Sequence, residues 1–94
     1  MKFVILWREK SDHARAVIEF VEMMRRTYPD KKPEMVELET RRGADVAQYY
    51  YVDRYPAVIV ATSDGHVLGQ WQGLPMPLVD QVMGSVLEAE SSHS

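Results

Sequence analysis

The 94-residue sequence contains no cysteine. That absence excludes disulfides, thiolate nucleophiles and cysteine metal ligands together. There is no excess of basic charge either: 11 Lys and Arg stand against 14 Asp and Glu, for a net charge of −3. No broad positive field is available to neutralise a phosphate backbone, so no nucleic-acid partner is expected. The basic pairs Arg25-Arg26 and Arg41-Arg42 read as solvated surface. Long hydrophobic runs are missing as well, since the apolar stretch 3–7 falls far short of the ~20 residues that cross a bilayer. Nothing ahead of it resembles a signal peptide. The expectation is a cytoplasmic protein without a membrane partner, and the missing cysteines fit a reducing compartment without fixing one.

What is present is an ordinary globular balance, 46% hydrophobic and 27% charged. A chain of this length supports one core and one domain, expected over 1–88 with a disordered tail at 89–94.

Lys2-Phe3-Val4-Ile5-Leu6-Trp7 is short, continuous and rich in β-branched and aromatic residues, the pattern of a strand buried on both faces. Ser11 and Asp12 are good N-cap types ahead of a helix whose apolar stripe is Ala14, Val17, Ile18, Val21 and Met24. Tyr28-Pro29 ends it, because proline disfavours the helical region for its predecessor. Met35-Val36-Glu37-Leu38-Glu39 alternates and predicts a strand with an acidic outer side. Thr40 caps a second helix through Ala44, Val46, Ala47 and Tyr50, with Gly43 weakening its first turn. Ala57-Val58-Ile59-Val60-Ala61 and the run 66–72 predict two strands joined by an Asp64-Gly65 hairpin turn. A last helix starts near Pro77 and presents Leu78, Val79, Val82, Met83, Val86 and Leu87.

The order is β-α-β-α-β-β-α. A helix joins the first two strands and a tight turn the last two, so the prediction is a four-stranded mixed sheet flanked by three helices, in the α/β class.

Four stretches in this order resemble the thioredoxin-like superfamily. Leu6-Trp7 leads through a short loop into the first helix, as in that family's aromatic-rich strand before its active-site loop. Tyr50-Tyr51-Val52-Asp53-Arg54-Tyr55-Pro56-Ala57 is similar to its tyrosine-x-valine-x-x-x-proline stretch. Ser63-Asp64-Gly65-His66 resembles its hairpin, and Gly73 its glycine after the last strand. The resemblance covers almost the whole chain, without the family's N-terminal strand and helix. It implies a thioredoxin-like fold, a cis bond before Pro56, and Ser11-Asp12-His13-Ala14 in place of the cysteine-x-x-cysteine motif. It also puts Ile5 where thioredoxins keep a buried acid for proton transfer. Two thiols and a proton relay are missing together, so the chain is expected to have no dithiol–disulfide oxidoreductase activity.

What the resemblance leaves is a groove. Its walls would be Trp7, Ser11, Asp12, His13, Tyr55, Pro56, Gln72 and Gly73. The expected function is non-catalytic: a protein-binding module or assembly factor that recognises an extended segment of a protein partner by strand addition. The alternative is a glutathione-binding, transferase-like enzyme in which Ser11 at a helix N-terminus orients a thiolate. No cofactor and no metal are expected, since a metal site would need His13, His66 and His93 to converge. Tyr49-Tyr50-Tyr51 cannot all face one way on a helix. Tyr50 is the expected core member, and Tyr49 or Tyr51 with Trp71 would form an aromatic patch that leaves a homodimer open.

Overall fold

The structure is a computed structural model that describes residues 2–91. Its elements are β1 (Lys2–Trp7), α1 (Ala14–Thr27), β2 (Glu34–Glu37), α2 (Arg41–Tyr49), β3 (Ala57–Ala61), β4 (Val67–Gln72) and α3 (Val79–Ser91). The tail expected at 89–94 is helical as far as Ser91 and otherwise lies outside the described residues.

The strands form one sheet in the order β2-β1-β3-β4. β1 runs parallel to β2 and antiparallel to β3, and β3 is antiparallel to β4. Alternation along the central strands sends side chains to two separate cores. Phe3, Ile5, Val58 and Val60 face one way and meet Val17, Phe20, Val21 and Met24 of α1 and Val79, Val82, Met83 and Val86 of α3. Val4, Leu6, Ala57 and Ile59 face the other way with Val36 and Val52, and are covered by Val46 and Ala47 of α2, by Leu38 and by Tyr50.

Three expectations about these faces are corrected. Ile18, placed in the α1 stripe, is 43% exposed, and Phe20 is buried instead. Leu78 is 71% exposed and Leu87 also faces solvent. Leu78 precedes the first residue of α3, and its N–H donates to Gln81 Oε1 at 3.1 Å, half of a capping box. Its side chain therefore leaves from the helix end and not from the buried stripe.

Thr40 caps α2 as its sequence indicates, accepting from Gly43 N at 3.0 Å while its hydroxyl donates to Glu37 O at 2.7 Å. Gly43 turns out to be required rather than a weakness. A Cβ there would stand 2.2 Å from the Glu37 carbonyl oxygen, so only glycine lets α2 lie this close to the end of β2.

At the far end of α2, Val52 N donates to Ala47 O at 2.8 Å and Tyr51 N to Gln48 O at 3.4 Å. This is the paired-bond C-terminal cap in which the residue after the cap turns left-handed. Here that residue is Tyr51, with φ of 56°.

The β3–β4 hairpin turns through Gly65, with Thr62 N bonded to His66 O at 2.8 Å. The Thr62 hydroxyl donates to Asp64, which holds the Asp64 carboxyl below the usual carboxylate range. Just beyond the turn the register slips: Val60 pairs Gly69 but Ala61 pairs Val67. Leu68 is the extra residue, and the bulge sends it to the α1/α3 core alongside Trp71.

Candidate functional site

The register carries four groove residues to one end of the sheet. Leu6 pairs with Ala57 and Ala57 with Gln72, so the next step sets Trp7 beside Pro56 at the ends of β1 and β3. Gly73 N donates to Pro56 O at 2.9 Å and closes the row. Gly73 has φ of 80°, a conformation suited to glycine. Pro56 is fully buried, Trp7 packs partly buried against the α1/α3 core, and Tyr55 is 37% exposed. The Tyr55–Pro56 peptide bond is cis. Among the described residues, no hydrogen bond takes up the N–H or the carbonyl of Tyr55.

Gln72 has a different role from the wall expected of it. It faces the α2 side with Gln70, and its Oε1 accepts from Asp53 N at 3.1 Å and Arg54 N at 3.3 Å. Its Nε2 donates to Gln70 Oε1 at 2.8 Å and to Tyr51 O at 3.4 Å, while Gln70 Nε2 donates to Tyr50 O at 2.9 Å. Two glutamine amides thus hold residues 50–54, the segment that delivers Tyr55. Sequence reasoning missed Gln70. The available signal was a polar residue two positions before Gln72, on the same face of an otherwise apolar strand.

Residues 8–13 fold back on themselves. The Ser11 hydroxyl donates to Arg8 O at 2.5 Å, and Arg8 N donates to His13 Nε2 at 2.9 Å. Glu9 N donates to Glu37 Oε2 at 2.7 Å, which ties the loop to the end of β2. Neither Ser11 nor Asp12 caps α1: the residue before the helix is His13, and it makes no side-chain cap bond. This corrects the N-cap reading: Ser11 lies three residues before Ala14 opens the helix, and among the described residues no α1 N–H donates to its hydroxyl oxygen. Among the described residues no hydrogen bond joins Ser11, Asp12 or His13 to Tyr55 or Pro56.

The His13 pKa lies below the ordinary 6.5, first because burial disfavours the imidazolium and next because the Arg8 guanidinium is near. Glu37 and Asp12 oppose this more weakly. The bond from Arg8 N requires an unprotonated Nε2, which agrees with a neutral ring.

Ile5 is fully buried at the centre of β1, and among the described residues no polar or charged residue is buried at all. The Ile5 position therefore offers no acid to relay a proton. Among the described residues no group of three or more His, Asp or Glu is placed to hold a metal, and His93 lies outside them. No helix among them is long and apolar enough to cross a membrane.

The expected aromatic patch does not assemble as read. Trp71 lies against the α1/α3 core with its ring over Gly69, where a Cβ would meet it at 2.6 Å. Tyr49 stands on the opposite, α2 side, edge-on to Tyr50 with ring centroids 4.8 Å apart. Tyr50 is the core member, and Tyr51 is 89% exposed.

No protein-family model matches the chain, and no curated protein matches it by sequence. Solved structures do. Thioredoxin 1 from the thermophilic eubacterium Thermosipho africanus superposes with a TM-score of 0.70 at 14% identity, over 100% of both chains. Thioredoxin O2 from Arabidopsis thaliana in the oxidized state gives 0.68 at 14% identity, over 94% of this chain and 72% of that one. The fold is thioredoxin-like, carried by a sequence without cysteine.

Proposed function

We propose that this chain is a cytoplasmic, non-catalytic binding module, of the kind that serves as an assembly factor, and that it takes an extended segment of a partner protein at the end of the sheet beside Pro56. Tyr55 carries the reading. Its peptide N–H and carbonyl are unpaired among the described residues, and its ring is partly exposed. Its two neighbourhoods are fixed, with buried Pro56 on one side and a segment held by Gln72 on the other. An unpaired backbone edge held in place favours strand addition, because little ordering entropy remains to be lost on binding. Trp7 and the exposed Leu74 supply apolar contact on either side.

The transferase alternative asks the Ser11 hydroxyl to serve a thiolate. That hydroxyl donates to the Arg8 carbonyl, and no observation favours its release.

Peptides selected from a random extended library against the wild-type chain provide the test. They are expected to shift the Tyr55 amide resonance saturably and to lose about tenfold or more in affinity with Tyr55→Glu. Equal binding to that variant, or saturable shifts at Ser11 from glutathione alone, would overturn the reading.

A further inference from the structure

A cavity of about 700 Å³ opens at the other end of the sheet from Tyr55, between α2 and the beginnings of β1 and β2. That is the size of an ordinary small-molecule pocket. Its floor includes Val4 and Val46, and five charged side chains stand around it: Lys2, Glu34, Arg41, Arg42 and Asp45. Arg42 and Glu34 neutralise each other at 2.6 Å. Lys2 and Arg41 have no ion-pair partner among the described residues, which leaves two cations against the single carboxylate of Asp45. The lining of this one concavity is thus left with a single net positive charge, on a chain whose net charge is −3.

Two further features narrow the ligand. Arg41 and Arg42 occupy the first turn of α2, which contains no acidic residue and where the helix dipole disfavours cations; Glu34 of β2 pairs with Arg42 alone. An anion in the cavity offsets that clash. The second feature is the exposed ring of Tyr49, which lines the same cavity and is set edge-on against Tyr50. Tyr49 follows Arg42 by seven residues, close to two helical turns, so the two share a face of α2 about 10 Å apart along its axis.

We propose that this cavity binds a small anionic molecule bearing a planar ring, its anionic group at the Arg41–Arg42 end and its ring against Tyr49. The spacing suits a molecule about 10 Å long, the scale of a nucleoside monophosphate. Neither half suffices alone. The anion finds cations but little enclosure, and the ring finds an aromatic wall but no anchor. The site is independent of the Tyr55 edge.

The experiment titrates the intact chain with adenosine monophosphate and with 2-naphthyl phosphate, following backbone and arginine side-chain resonances, with inorganic phosphate and adenosine as half-ligands. Saturable shifts at Arg41, Arg42 and Tyr49 are expected for the ring-bearing anions, with each half-ligand weaker. Arg41→Ala is expected to weaken binding about tenfold, and Tyr49→Ala about fivefold or more. Tyr49→Phe retains binding, and so does Tyr55→Glu at the other end of the sheet. Both alanine positions are exposed, and an unchanged amide spectrum verifies that each variant folds. The proposal is overturned if neither ring-bearing anion shifts these residues saturably at millimolar concentration, or if both alanine variants bind as the wild type does.

Discussion

On one face of the sheet two helices seal a purely apolar core around Ile5, Phe20, Val60 and Met83. On the other a single short helix covers a smaller core, and the remaining cover comes from a segment held by the amides of Gln70 and Gln72. The first face needs only correct volume and phase, and its free energy comes from area removed from water. The second depends on individual bonds and close approaches, at Thr40, Gly43 and the two glutamines. Both proposed binding regions draw on it: the segment leading to Tyr55 is held there, and the cavity beside α2 opens there. Stability and recognition are thereby assigned largely to opposite sides of one sheet.

The sharpest way to break this contrast is to cut into each face. Phe20→Ala empties a buried ring site and is expected to cost about 3–5 kcal/mol in urea denaturation. Val46→Ala on the second face should cost about 1 kcal/mol, and equal losses would erase the distinction. Gly43→Ala tests the close approach: with a Cβ 2.2 Å from a backbone oxygen, α2 must shift, at about 2–3 kcal/mol. Its amide shifts should be confined to α2 and the end of β2.

Tyr51→Gly acts in the opposite direction. Tyr51 occupies a left-handed cap position for which glycine is the unstrained residue, so the substitution is expected to stabilise by about 0.5–1 kcal/mol, read as a raised urea midpoint. A loss of stability would mean that the exposed ring makes contacts the cap geometry does not reveal.

The smallest effect is that of His13. Its folded pKa lies below 6.5, so between those two values the unfolded chain binds more protons and stability rises with pH. On acidification from neutrality the wild type should therefore lose more stability than His13→Gln, with the extra loss complete once pH falls below the folded pKa. Thermal melts across that range measure the difference, and an NMR titration of the His13 ring locates the midpoint.

The two central strands were legible because 3–7 and Ala57–Ala61 are unbroken apolar runs with no competing pattern. Helix phase was less so. Ile18 and Phe20 both border the α1 stripe, and which one is buried depends on where α3 lies, a fact absent from local periodicity. The end of the sheet that collects Trp7, Pro56 and Gly73 could be anticipated from a resemblance over the whole chain. The Ser11 cap could not, because the helix opens only at Ala14, and nothing in the types of Ser11 and Asp12 marks that delay. The Ser11 hydroxyl instead donates to the Arg8 carbonyl within the loop. Gly43 read as a propensity defect because its reason is a tertiary contact 2.2 Å away.

The extra residue at Leu68 has a consequence for how these molecules behave in a crowd. β4 is an outer strand whose six residues carry neither charge nor proline, the kind of border on which neighbouring chains polymerise. The slip between Val60 and Ala61 breaks that border before it becomes a straight template. Deleting one leucine would straighten it and expose concentrated solutions to fibre growth.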